Sequence, residues 1–133
     1  MTITIANPAT LYLPQGYAHA VVAEGSRVVF VGGQVASDLD GQVVHTGDYE
    51  AQAELTMRNF AAAVAASGAT ISDVAQLSIY VVDNSPERQE QVYAGFGRAS
   101  AELGLRRTAM KILGVQALGD PQALVELDGV AIF

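Results

Sequence analysis

The chain contains no cysteine. Disulfides, thiolate nucleophiles, iron–sulfur clusters and cysteine-ligated zinc are therefore excluded outright. Positive charge is scarce. Seven Lys+Arg stand against 14 Asp+Glu, the net charge is −7, and Lys111 is the one lysine. A nucleic-acid binder needs a basic patch to release counterions from phosphates, and so acidic a chain repels nucleic acids and anionic membranes alike. No apolar run approaches the roughly 18 residues that span a bilayer. Met1 to Ile5 shows neither a basic n-region nor a signal-peptide core, so the expected location is the cytoplasm. The two histidines, His19 and His45, have no metal-ligand spacing, so no metal site and no bound cofactor are expected. His19 reads as structural. No serine sits in G-x-S-x-G, and both G-x-G-x-x-G and the Walker A pattern are missing.

What remains is a greasy chain of 133 residues, the length of one domain covering 1–133. Hydrophobic residues make up 50% and charged residues 16%, against about 25% charged in an ordinary soluble domain. That hydrophobicity excludes disorder, and the shortage of polar residues predicts an oligomer.

Pro8 and Pro14 make Asn7 to Gly16 an irregular opening with a short extended piece. Ala18 to Ala23 and Arg27 to Val31 flank a turn candidate, Glu24-Gly25-Ser26, and together predict a hairpin that ends in a bend at Gly32-Gly33. Asp38-Leu39-Asp40-Gly41 is a second turn signal, with Val43-Val44 as a short return strand. Asp48 is a good cap for a helix running to about Ser67, stopped by Gly68. Its apolar stripe is Ala53, Met57, Phe60 and Val64. A helical turn at Ser72-Asp73 precedes a strand ending at Val82. Ser85 caps a second helix with Pro86 in its first turn; it carries Val92, Phe96, Ala99 and Leu103 and stops at Gly104. Strands from Thr108 to Val115 and Leu124 to Phe133 complete the order β-β-β-α-β-α-β-β. The pattern predicts an α+β domain with both helices on one face of a mixed sheet. Val28 to Val31 and Ile79 to Val82 are apolar at consecutive positions, so both sheet faces seek burial. Two helices cover one face, which leaves the other for a second subunit.

Two features could carry chemistry. Arg106-Arg107 precedes a strand in a chain poor in cations and reads either as a solvated pair or as an anion site, since guanidinium can fork a carboxylate. In Val125-Glu126-Leu127-Asp128, strand alternation puts Glu126 and Asp128 on one face. That face is either simply wet or presents a carboxylate at a subunit seam, able to act as a general base.

Several segments together resemble the RidA/YjgF family. They are Asn7-Pro8, Gly16-Tyr17-Ala18-His19-Ala20-Val21, Val29-Phe30-Val31-Gly32-Gly33-Gln34 and Asp40-Gly41, then Gln52, Asn59, Gly68-Ala69-Thr70 with Asp73-Val74, Arg107-Thr108, and Val125-Glu126-Leu127-Asp128. The resemblance covers nearly the whole chain. It implies a chorismate-mutase-like fold and a homotrimer whose sheets form a central barrel. The implied activity is hydrolytic deamination of reactive 2-imino and enamino acids in an inter-subunit cleft. On the same basis Arg107 would bind the substrate carboxylate and Glu126 would activate water. Tyr17 would line the cleft, and Gly32, Gly33 and Gln34 would lie on the strand end supporting the substrate. The chain departs from the family pattern at Gly32, where a serine is usual, at Leu105 for proline and at Glu90 for asparagine. Arg106 could therefore compete with Arg107, and two other readings stay open: a regulatory trimer that binds small carboxylates without turnover, and a pathway-specific small-molecule enzyme on the same scaffold.

Overall fold

Both helices form where the apolar stripes place them. In a computed structural model describing residues 2–133, α1 spans Tyr49–Ala66 and α2 spans Pro86–Leu103. The Asp48 carboxylate accepts from the Ala51 N–H at 3.0 Å, and the Ser85 hydroxyl accepts from the Arg88 N–H at 3.2 Å. Each cap satisfies a donor that the first turn leaves free. Gly104 ends α2 at φ 82°, a left-handed conformation that a Cβ would strain. Ala53, Met57, Phe60 and Val64 are buried, and Val92, Phe96 and Ala99 join them in one core. The helices cross closely: a Cβ on Gly95 would lie 2.0 Å from the carbonyl oxygen of Glu50.

Six strands accompany them: β1 (Thr2–Ala6), β2 (Ala20–Glu24), β3 (Val28–Gln34), β4 (Val74–Val82), β5 (Ala109–Val115) and β6 (Val125–Ile132). The main sheet has the order β3-β6-β4-β5. β4 and β5 are parallel, and the other pairs are antiparallel. This is the predicted α+β order, and the turn at Ile71–Asp73 falls where a helical turn was expected.

Three expectations need correction. β2 and β3 do not form a hairpin; β2 pairs with β1 in a separate two-stranded sheet, and β3 pairs with β6. The end of β6 takes the place of a hairpin partner: the N–H groups of Ser26 and Arg27 both donate to the Phe133 carbonyl, and the Phe133 N–H donates to Arg27. The first strand lies at Thr2–Ala6, upstream of the extended piece sought between Asn7 and Gly16. Val43-Val44 makes only one isolated bridge, Ser37 with Val43.

Two residues shared with the family motifs hold loops in place. The amide of buried Gln52 donates to the carbonyls of Gln122 and His45, while its oxygen accepts from the Leu124 N–H at 2.8 Å. Asn59 donates to the carbonyls of Val35 and Ser37. Gln52 thereby fixes the segment leading into β6, and Asn59 the segment leaving β3.

Along β6 burial alternates. Val125, Leu127 and Ala131 enter the core, so Glu126, Asp128 and Val130 lie on the opposite face. That outer face carries Phe30, 80% exposed, and Val28, 54% exposed.

Candidate functional site

The sequence-predicted residues fall into two groups at opposite ends of the sheet. The first is at the start of β5. The buried Thr108 hydroxyl donates to the Val74 carbonyl at 3.1 Å, and the Thr108 carbonyl accepts from the Ala18 N–H at 2.9 Å. Ala18 also bridges in parallel to Ala109. These bonds bring Tyr17 beside the chain at Arg107. Arg106 and Arg107 are both exposed.

The chain's seven cations divide sharply. Arg58, Arg88 and Arg98 are in ion pairs with acidic side chains, and Arg27 stacks on the Phe133 ring. Among the described residues Arg106, Arg107 and Lys111 make no ion pair. Among the described residues the side-chain cations with neither an ion pair nor an aromatic partner thus fall within six consecutive residues, where they attract anions.

The second group is at the junction of β3 and β6. Val31 pairs with Gly129 and Gln34 with Leu127, so Gly32 and Gly33 together oppose Asp128 in a bulge. Gly33 lies under the Glu126 carboxylate: a Cβ there would fall 1.9 Å from Oε1. Burial, and after it the neighbouring charge of Asp128, raises Glu126 above the usual carboxylate range, which suits a general base. Tyr80, opposite Glu126 on β4, donates its hydroxyl to Asp128 at 3.1 Å. Sequence reasoning missed Tyr80, although alternation from the core residues Ile79 and Val81 already puts it on the outer face.

Gln34 stands apart from both groups. The bulge turns it to the helix side, where its amide donates to the Gly32 carbonyl and it borders a depression with Ser37 and Asn59. Tyr17 shares a hydrogen bond with Tyr12 that raises its phenol above the ordinary range. The His19 ring meets the Tyr12 carbonyl at 2.7 Å, a structural placement.

The strand register measures the gap between the groups. Gln76 pairs with Ala109 and with Val130, and Tyr80 pairs with Glu126. Arg107 therefore lies six β4 positions from Glu126, about 20 Å at strand rise. No single small acid can touch both within one chain.

Ionised Glu126 works against folding, because its folded-state proton affinity is raised. Its favourable contribution is present when protonated and is lost as pH rises through the folded value. Glu126→Gln is accordingly expected to unfold at higher urea than the unaltered chain near pH 7 and at about the same urea near pH 4. A constant difference across that range would contradict the placement of the carboxylate.

Comparison with known proteins gives a consistent picture. A family model described as Ribonuc_L-PSP, endoribonuclease L-PSP, matches residues 9–133. A Yersinia pestis protein of unknown function from the conserved Rid family, YyfB, has a solved structure that is 32% identical, covers 100% of both chains and superposes with a TM-score of 0.86. The YjgF gene product of E. coli is 21% identical over 87% of each chain, with a TM-score of 0.69. Protein DfrA of Myxococcus xanthus is 36% identical over 67 residues, which are 50% of this chain and 51% of that protein. The match thus spans about half the length of that curated relative.

Proposed function

The chain belongs to the endoribonuclease L-PSP family, the RidA/YjgF proteins, and from that membership we propose that it hydrolyses reactive 2-imino and enamino acids to 2-keto acids and ammonia in clefts between the copies of a homotrimer. One observation carries the reading. Arg107 and Glu126 are complementary to the two ends of such a substrate, yet one chain holds them about 20 Å apart. A second copy, placing its Glu126 beside the first copy's Arg107, completes the cleft.

The exposed outer face supports assembly. Packing three sheets around a central barrel would cover Phe30 and Val28, and each fully buried Phe contributes about 2 kcal/mol. No described helix is long and apolar enough to cross a membrane, and the cytoplasm is the proposed location.

In the proposed reaction Arg107 forks the carboxylate and fixes the adjacent C=N carbon. Glu126 takes a proton from water as the oxygen adds to that carbon. The proton passes to nitrogen, and the carbinolamine collapses with loss of ammonia, leaving the 2-keto acid. An enamine first becomes the imine by gaining a proton at carbon and losing one from nitrogen. Free imines hydrolyse in water unaided, so positioning and one base suffice.

The family description names a ribonuclease. Here four of the seven cations are already engaged with side chains of the chain itself, and the net charge is −7. Little remains to track a phosphate backbone, which favours a small acid over RNA. The test is ammonia release from imines generated by an amino-acid oxidase. The protein should accelerate it, and release at the uncatalysed rate would refute the proposal.

A further inference from the structure

β5 is an edge strand of the main sheet, paired with β4 and bridged on its other side to Ala18 at Ala109, and a groove runs along the rest of that side. Two adjoining cavities make up the groove, of about 320 Å³ and about 280 Å³, sharing Tyr17, Tyr93 and Met110 as walls. The first also takes in Lys111 and Tyr12. The second takes in Phe96 and Gly97. One end is therefore cationic and phenolic, and the other is apolar and aromatic.

Gly97 is the second observation. It lies in the interior of α2, where glycine costs helix stability. Packing does not require it, since a Cβ there would meet nothing within 4 Å. Gly95, two residues earlier, is needed for the contact with Glu50. Space for a guest at the apolar end gives Gly97 a role that the fold does not.

We infer that this groove binds a carboxylate bearing an aromatic side chain, with the acid at Lys111 and the ring between Tyr17, Tyr93 and Phe96 above Gly97. An ammonium that makes no ion pair among the described residues suits the acid. Aromatic walls receive a ring edge-to-face or offset, and the volume matches the lower range of small-molecule sites, about 300–1,000 Å³. A three-carbon acid would leave the ring end empty. The inference rests on the proposed hydrolysis only through Tyr17, which borders both sites, so it is tested by binding without turnover.

Titration calorimetry of the full chain with phenylpyruvate and with pyruvate is the experiment. Phenylpyruvate is expected to bind at least about tenfold more tightly. Gly97→Leu, on an exposed helix face, should remove that preference while preserving the folded state by circular dichroism. Lys111→Gln should weaken phenylpyruvate by about two- to fivefold. The preference should persist in Arg107→Ala, which separates the groove from the carboxylate site of the hydrolysis. Equal affinity for the two acids, or a preference undiminished in Gly97→Leu, would overturn the inference. If the preference stands while imines are not hydrolysed, the catalytic reading fails and the groove remains.

Discussion

Arg107→Ala is expected to lower kcat/KM for imine hydrolysis by about a hundredfold, whereas Arg106→Ala lowers it by less than about threefold. Thr108 is anchored by its hydroxyl to Val74 and by its carbonyl to Ala18, so the residue before it has a fixed point of departure. Strand alternation puts Arg107 on the same side as Ala109 and Lys111 and turns Arg106 away. Lys111 in turn shares the outer face with Asp128, because both pair with Ser78. A hundredfold corresponds to about 2.7 kcal/mol, the scale of a charged, forked hydrogen bond together with the positioning it provides. Both arginines are exposed and form no ion pair among the described residues, so neither substitution should move the unfolding midpoint. Equal losses in the two variants would show that the pair acts only as diffuse positive charge.

The second large effect is expected at Gly33. Its backbone lies so close to Glu126 that a Cβ would sit 1.9 Å from Oε1 and 2.8 Å from the carboxyl carbon. The obstructed group is the end of a flexible side chain, so Gly33→Ala should displace the carboxylate without unfolding the protein. Misplacing a reacting group by about 1 Å can cost a hundredfold in rate, and a loss of about that size is expected, mainly in kcat. Gly32→Ala supplies a structural comparison. A Cβ at Gly32 meets nothing within 4 Å, and its backbone is not left-handed. That substitution should stabilise the chain by about 0.5 kcal/mol through the unfolded state. Full activity in Gly33→Ala would mean that the position of Glu126 does not govern the rate.

What the sequence made legible was mainly local. Asp48, Ser85, Pro86 and Gly104 mark helix ends through bonds made within a few residues, and the stripes through Phe60 and Phe96 depend only on helical period. The hairpin expectation failed because strand pairing is a long-range choice. β3 pairs with β6 about a hundred residues away in the chain, and nothing near Gly25 announces that Phe133 will bond to Arg27. Gln34 shows a second limit. Counting by twos from Phe30 puts it on the outer face, but the two glycines opposite Asp128 add a residue and reverse the parity. The motif that named Gly33 and Glu126 pointed to two residues that do touch, and their contact explains why a side chain is excluded there. Tyr93, Gly97 and Lys111 were beyond reach, since their groove exists only where a loop, a helix and an edge strand come together.

The central claim is that each cleft draws Arg107 from one copy and Glu126 from another. Arg107→Ala and Glu126→Gln, each inactive alone, can be mixed in equal amounts, unfolded and refolded together. In a cyclic assembly with heterologous contacts about a quarter of the clefts would then pair an intact arginine with an intact glutamate. The expected result is recovery of about a quarter of the unaltered protein's imine-hydrolysing activity. A refolded mixture as inactive as its components would contradict the claim, because a cleft built within one chain cannot be repaired by exchange.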